Sequence, residues 1–310
     1  MASSSPHTVR AGTSSALKAG HVGVVTVTYN SAGVLPDFFA SLASQTCNDY
    51  TLYVVDNDSS DNTLELCRRS ADLPIVILAN DVNVGIAEGN NQGIRAALAD
   101  GCEFVLLLNN DTAFGPGLFA ELRDGLQKNA CAMVTPKIYY HDVPDRIWAA
   151  GGHFQMWLGS RPKHYGEGVR DRGQFDAPRA ITYAPTCCVL IHRSVFDGIG
   201  LMDPLYFLYW DDVDFMYRAL KSGYVLRYLP QSRLHHKVNS LTSTQPKPSL
   251  VRFAIRNRVY FTKKNLPPFS AQFWIGTYRI YLYSRYLFGK DTRQEWEWKN
   301  KAISEGLAMS

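Results

Sequence analysis

Between residues 22 and 108, short runs of β-branched residues and leucine alternate with segments whose apolar residues return at helical spacing. Strands that alternate with helices imply a mainly parallel sheet with helices on both faces, an α/β fold. The runs cover residues 22–28, 52–55, 75–78 and 104–108. Each reads as a buried strand. After the first, Val34, Leu35, Phe38, Phe39 and Leu42 mark one face of a helix. A helix capped by Asp61 and running through Arg69 follows the second. The turn Asn83-Val84-Gly85 opens another that continues to about Ala99. In sheets of this kind ligands bind beyond the carboxyl ends of the strands. Polar residues gather at those ends: Asn30, then Asp56 and Asp58, then Asn109, Asn110 and Asp111.

The second half has a different texture. Glycines, prolines and aromatics crowd residues 140–185, and excursions of that length are usually functional. Residues 184–191 read as a strand, 210–222 as a helix ended by Gly223, and 224–229 as a strand ended by Pro230. From Ser249 onward the pattern is helical and aromatic, broken at Pro267-Pro268. A length of 310 residues suits one large α/β domain with an appendage. The first 20 residues are rich in Ser, Ala and Gly, lack the apolar core of a signal peptide, and are expected to be a disordered tail. No apolar run is long enough to span a bilayer. The six cysteines show no metal-ligand spacing, and scattered thiols fit a reducing cytoplasm.

Charge is distributed unevenly. Residues 215–290 contain no Asp or Glu, and Asp211, Asp212 and Asp214 stand immediately before them. The whole chain carries only +4, so the remainder is net acidic. A basic region suits anionic partners such as phosphates or an anionic membrane surface. For the lysines alone, a solvated basic face is the simpler reading. Phe273, Trp274, Tyr278, Tyr281, Tyr283, Tyr286 and Phe288 are interleaved with Arg279 and Arg285. That pattern suits docking in the headgroup zone, while the arginines make a spanning helix costly.

Three motifs carry chemistry. Asp111 ends an apolar strand, where a carboxylate can hold a divalent metal that bridges a diphosphate; as a bare Asn-Asn-Asp the motif reads equally well as a turn. In Trp210-Asp211-Asp212-Val213-Asp214 adjacent carboxylates repel, which raises one pKa and makes a better base. Acids in the first turn also suit a helix N-terminus, and the two roles are compatible. In Leu234-His235-His236-Lys237 one histidine could ligate a metal, or both could lie on the surface.

Taken together the motifs resemble one family in order and spacing. VVTVTYN, VVDNDSSDN, NVGIAEGNNQG, LLLNNDT, GLMDPLYFLYWDDVDFMYRALKSGY and HHKVNS resemble the inverting glycosyltransferases of family 2, with the GT-A fold, and the resemblance runs from about Val22 to Ser243. Within that family the chain is most similar to bacterial rhamnosyltransferase-like enzymes of surface-polysaccharide assembly. The resemblance implies a catalytic domain over residues 21–248, with a nucleotide-sugar half to residue 112 and an acceptor and catalytic half from 113. Residues 249–310 become a helical extension. Thr28, Tyr29 and Asn30 fall where the family holds the nucleotide base. Asp56 matches the acid that bonds the pyrimidine, with Asp58 beside it. Asn83 and Gly85 match the loop that closes over the nucleotide. Asn109 and Asn110 stand in place of the leading acid of the Asp-x-Asp motif. Asp111 keeps the closing acid, which binds Mg²⁺ or Mn²⁺. Asp212 matches the base of the family's Glu-Asp pair; Asp211 replaces its Glu, so either could be the base. His236 matches the histidine near the metal and diphosphate.

The implied partners are a nucleotide-diphosphate sugar, dTDP-rhamnose or a UDP-sugar such as UDP-galactofuranose or a UDP-hexose, and a glycan or lipid-linked acceptor. Nucleic acid is not among them, and an oligomer stays open. The implied location is the cytoplasm, peripheral at the inner face of the cell membrane. A nucleotidyltransferase would carry a Gly-rich basic signature after the first strand, where this chain reads Ser31-Ala32-Gly33-Val34-Leu35-Pro36. A carbohydrate-binding protein without activity would not need Asp111, Asp212 and His236 together.

Overall fold

The computed structural model describes residues 7–10, 20–238 and 248–310. The remainder of the expected tail, Asn239 and Ser240 of the last motif, and Ser243 at the end of the resemblance lie outside the described residues. Within the expected tail a short strand forms, β1 (His7–Arg10). It pairs antiparallel with residues 76–79. The unpaired backbone groups of a sheet edge recruit a neighbouring segment whatever its side chains, so composition gave no sign of it.

Strands and helices then alternate as expected: β2 (Val22–Thr28), α1 (Leu35–Ala43), β3 (Tyr50–Asn57), α2 (Thr63–Arg69), β4 (Ile75–Asn80), α3 (Ile86–Ala99) and β5 (Phe104–Leu108). β4, β3, β2 and β5 lie side by side in parallel. Alternate residues pack opposite faces. Val24, Leu52, Val54 and Leu106 meet Leu35, Phe38 and Leu42 of α1 in one core. Val25, Tyr53, Val105 and Leu107 join Ile94 and Ala97 of α3 in the other. Helix α3 lies close to the sheet because Gly93 faces Val25, where a Cβ would collide with the valine methyl.

The second half extends the same sheet. It comprises β6 (Thr112–Phe114), α4 (Leu118–Lys128), β7 (Met133–Tyr140), β8 (Ile147–Ala149), β9 (Gly152–Gln155), β10 (Arg161–His164), β11 (Arg179–Ile181), β12 (Cys188–His192), α5 (Arg193–Ile199), α6 (Asp211–Lys221) and β13 (Leu226–His236). β12 runs antiparallel beside β5 and β7, β7 pairs in parallel with β13, and β9 and β10 form a separate hairpin. The excursion is thus built of short strands. Two boundaries differ from expectation. The strand expected over 184–191 begins only at Cys188. The strand expected to end at Pro230 continues to His236. Its register against β7 shifts between Leu229 and Arg233, and that irregularity absorbs the proline, which lacks a ladder donor.

Three helices close the chain: α7 (Pro248–Asn265), α8 (Pro268–Leu287) and α9 (Arg293–Ala308). They share a small core of Ile255, Val259, Ile275, Leu282, Ala302 and Ile303. α7 also sends Tyr260 and Phe261 into the main core. Many cations of the acid-free stretch are consumed here. Lys264 pairs with Asp203 at 2.7 Å and Asp214 at 3.0 Å, Arg252 with Glu305 at 2.5 Å, and Arg285 with Asp291 at 2.9 Å. No helix among the described residues is long and apolar enough to cross a membrane.

Candidate active site

The carboxyl ends of the parallel strands build the first half of the site. β2 ends in Thr28, whose hydroxyl donates to Asp56 Oδ1 at 2.8 Å. Asp56 is buried and also accepts from the Ser59 hydroxyl at 2.6 Å and the Ser59 amide at 3.0 Å. Asn30, at φ 51°, accepts from the Ser60 amide at 2.8 Å, and its own amide donates to the Ser59 hydroxyl at 2.9 Å. These bonds lock the turns after β2 and β3 to one another. Tyr29 and Asp58 stay exposed beside them. The Asn83 side chain accepts from the Gly85 amide at 2.9 Å. Gly85, at φ 85°, lies against Phe207: a Cβ would stand 2.6 Å from the Phe207 carbonyl oxygen. The Ile86 amide donates to that same carbonyl at 2.6 Å.

After β5 the chain turns sharply. Asn110 donates to the Val27 carbonyl at 2.7 Å, and the Asn109 amide donates to the Cys187 carbonyl at 2.9 Å. Both asparagines therefore secure the turn that presents Asp111. The pairing of β6 with β13 sets His236 opposite Thr112, and the Lys237 amide donates to the Asp111 carbonyl at 2.8 Å. His236 Nε2 then lies 3.1 Å from Asp111 Oδ1. Burial works against a charged imidazole here, but contacts with Cys187 and Asp111 outweigh it and raise its pKa to about 10. His235 points to the other face and stacks on Tyr139. A cavity of about 340 Å³ on that side, lined by Tyr139, Asp171, Arg233 and His235 among others, contains none of the predicted site residues.

The second half centres on the start of α6. Asp211 is buried and Asp212 half-buried. Tyr183 donates its hydroxyl to Asp212 Oδ2 at 2.8 Å, and the Val213 amide donates to Oδ1 at 2.8 Å. Burial raises both carboxyls. At Asp211 the charge of Asp212 adds to the rise, whereas at Asp212 the Tyr183 hydroxyl and the backbone of Val213 and Thr186 oppose it. The environment therefore favours a proton on Asp211 and a charge on Asp212. Asp214 does something else. It is fully buried and turned toward the extension, where Arg218, Lys264 and Asn265 bond it at 2.8, 3.1 and 2.8 Å. Three carboxylates that read as one cluster thus divide between the candidate site and the junction with the extension.

The two halves meet through residues 183–187. Tyr183 and Thr186 face Asp212, while Cys187 touches His236 and accepts from Asn109. Several positioning groups escaped the sequence reading. Asn91 of α3 bonds both the amide and the carbonyl of Met202, at 2.9 and 2.8 Å. Asn257 of α7, wholly buried, donates to the carbonyls of Tyr206, Leu208 and Tyr209 at 2.6, 2.8 and 2.9 Å. Those carbonyls belong to the turn that delivers Asp211 and Asp212, in which Phe207, Tyr209 and Trp210 all have positive φ. Asn91 lies inside a quoted motif and could have been flagged. Asn257, in an unremarkable helix, gave no signal.

The model of the family described as glycosyl transferase family 2 matches residues 23–200. The chain belongs to that family. This glycosyltransferase is 27% identical over 236 residues to the N-acetylglucosaminyl-diphospho-decaprenol L-rhamnosyltransferase of Mycobacterium tuberculosis, covering 70% of this chain and 76% of the relative. It is 26% identical over 211 residues to a PGL/p-HBAD biosynthesis glycosyltransferase of Mycobacterium bovis, covering 66% and 72%. Among solved structures it superposes on residues 1–349 of S. aureus TarS in complex with UDP-GlcNAc, with a TM-score of 0.62 and 15% identity, covering 93% of this chain and 80% of that one. The Pyrobaculum calidifontis mannosyltransferase PcManGT, in complex with GDP-Man and Mn²⁺, gives 0.56 and 14%, covering 93% and 87%. The fold of the glycosyltransferase is therefore GT-A, as the motifs implied.

Proposed function

We propose that this glycosyltransferase moves rhamnose from dTDP-rhamnose to a hydroxyl of a glycan or lipid-linked acceptor, inverting the anomeric configuration. The observation that carries the reading is the pairing of Asp111 with His236 at one end of the site and the Tyr183-held Asp212 at the other. The mycobacterial relative named as a rhamnosyltransferase supports the donor sugar.

The donor set at Asp111 and His236 suits a divalent ion, which would take the place of the proton on the imidazole nitrogen. Neighbouring ligands on an ion with bonds of about 2.1 Å stand about 3 Å apart, and the two atoms here are 3.1 Å apart. Two protein ligands suffice when diphosphate oxygens complete the shell. Mg²⁺ or Mn²⁺ held there would neutralise the leaving nucleoside diphosphate. Asp56, Thr28 and the turns at Asn30 and Asn83 would hold the nucleotide. Asp212 takes the proton of the acceptor hydroxyl as its oxygen bonds the anomeric carbon, and the bond from that carbon to the diphosphate oxygen breaks. One displacement inverts the centre, so no second nucleophile is needed. Asp211, keeping its proton, leaves Asp212 as the base.

The extension would dock on an anionic membrane carrying a lipid-linked acceptor. Phe269, Phe273, Ile280, Tyr281, Leu287 and Phe288 of α8 and the turn after it are exposed, and exposed Arg279 lies among them. Trp157, 71% exposed, sits in the turn that abuts Trp274 of α8. Aromatic and basic residues together suit the headgroup region. Trp274, Tyr278 and Tyr286 take part differently, packing inward against Gly159, Arg258 and Trp296.

A panel of dTDP-rhamnose, UDP-galactofuranose, UDP-GlcNAc and UDP-galactose, with Mg²⁺ or Mn²⁺ and read by mass spectrometry, tests the donor. Release of dTDP from dTDP-rhamnose alone is the expected result. Turnover of a UDP-sugar instead replaces rhamnose, and release of inorganic pyrophosphate overturns glycosyl transfer.

A further inference from the structure

A wall of rings joins the two ends of the site. His236 meets Trp148 edge-on with centroids 4.6 Å apart, Trp148 lies 5.1 Å from His164, and His164 lies 5.5 Å from Tyr183. The Tyr183 hydroxyl then donates to Asp212 at 2.8 Å. The series runs from the pair suited to the diphosphate to the carboxylate suited to the proton. A sugar caught between leaving group and acceptor must lie along it. Tyr183 is buried, but the two middle members, Trp148 and His164, keep part of their surface open.

Their placement is fixed by backbone. Trp148 projects from β8, and His164 ends β10 opposite Gly152. A Cβ on Gly152 would stand 2.6 Å from the Lys163 carbonyl oxygen and 3.0 Å from the Tyr183 ring, so the hairpin can close against Tyr183 only over a bare backbone. Neither nitrogen of His164 bonds to another described residue, and its Nδ1 is buried. Burial holds its pKa down to about 4, so near neutral pH the ring is uncharged and offers one N–H donor and one acceptor. A sugar ring has a face of C–H groups and a rim of hydroxyls. A partly exposed indole beside a neutral imidazole with no hydrogen-bond partner among the described residues matches both.

We propose that Trp148 and His164 seat the sugar ring being transferred, Trp148 against its C–H face and His164 on one of its hydroxyls. The inference rests on the sugar-transfer reading of the site. It makes these two residues determinants of donor-sugar choice, distinct from the groups that hold the nucleotide.

The test compares calorimetric affinities for a free nucleoside diphosphate and its sugar-bearing form, dTDP with dTDP-rhamnose and UDP with UDP-GlcNAc, each with Mn²⁺. The wild type should bind one sugar-bearing form more tightly than its free diphosphate. Trp148→Ala and His164→Phe should each lose that increment, weakening the nucleotide sugar roughly two- to tenfold, the size of a lost neutral contact. Free diphosphate affinity should not change. Trp148→Phe and His164→Asn, which keep an aromatic face and a donor, should recover part of the increment and guard against misfolding of the larger changes. An increment that survives in all four variants overturns the proposal. So does equal weakening of free diphosphate and nucleotide sugar, or an effect confined to acceptor KM. If the wild type binds neither diphosphate, the transfer reading falls and the inference with it.

Discussion

The turns that would hold the nucleotide and the turn that would carry the base are built on opposite principles. The first are self-sufficient. Thr28, Asn30, Asp56, Ser59 and Ser60 satisfy one another across two neighbouring strand ends. The second is held from outside. Residues 206–210 contain three non-glycine residues at positive φ, each costing roughly 1–3 kcal/mol. The carbonyls of Tyr206, Leu208 and Tyr209 are met by Asn257 of the C-terminal extension, some fifty positions later in the chain. Asp214, Lys264 and Asn265 fasten the same helix start from the other side. A local motif can place a ligand-binding loop, but a strained turn needs a distant partner. The extension thus holds the turn that precedes Asp211 and Asp212, as well as being a candidate docking element.

The largest effect expected from breaking this arrangement is at Asp212. Asp212→Asn should lower turnover by about 10²–10⁴-fold, the range for loss of a general base, with donor affinity nearly intact. Turnover and calorimetric donor titration on the same sample check it; near-normal turnover would transfer the role to Asp211. The pH dependence follows from the raised carboxyls. Activity of the wild type should fall as pH drops through a midpoint above the usual carboxylate range, since burial raises the carboxyl of the base and the base must be ionised. Both folded pKa values lie above their unfolded values, so the pair's contribution to stability is full at low pH and is lost as pH rises. Asp211→Asn should therefore raise Tm more at pH 9 than at pH 5.

Asp111→Ala probes the diphosphate end of the site. It should cost on the order of 100-fold in nucleotide affinity when Mg²⁺ or Mn²⁺ is present, because a bound cation is worth several kcal/mol against developing charge. In chelator the variant and the wild type should bind alike. A wild type that binds and turns over equally well in chelator removes the metal from the reading.

Asn257→Ala sharpens the contrast most directly. It leaves buried carbonyls of residues 206, 208 and 209 without their donor, a loss of about 1–3 kcal/mol in stability. Nucleoside diphosphate affinity should fall less than kcat, because the turns at Asn30 and Asp56 do not touch α7 and only the Asn83–Gly85 turn leans on residue 207. If affinity falls and kcat does not, the two regions are not built as separately as their hydrogen bonds suggest. The smallest effect concerns docking. Replacing Phe269, Phe273 and Phe288 with serine should abolish flotation with anionic liposomes at low salt while leaving turnover of a water-soluble acceptor intact. Each basic residue near such a surface adds only about 1 kcal/mol, so the apolar side chains should dominate. A wild type that does not float makes this face a protein contact.

The amino-acid sequence by itself determined the alternating half of the fold, the turns at Asn30, Asp56 and Asp111, and the acidic start of α6. Periodicity and strand-end chemistry are local, and local patterns survive in a linear string. It also separated His236 from His235 by resemblance, and the register of β13 against β6 gives the physical reason: neighbouring residues on a strand face opposite ways. Only the tertiary structure decided how the three carboxylates divide, because Asp214 is set apart by Lys264 and Asn265 from another helix. It also decided that Pro230 lies within a strand and that residues 7–10 close a sheet edge. Both depend on which backbone lies alongside. The same is true of Asn257 and His164: their neighbours are 48 to 51 and 19 residues away, and a buried group's role is set by the partners that folding brings to it.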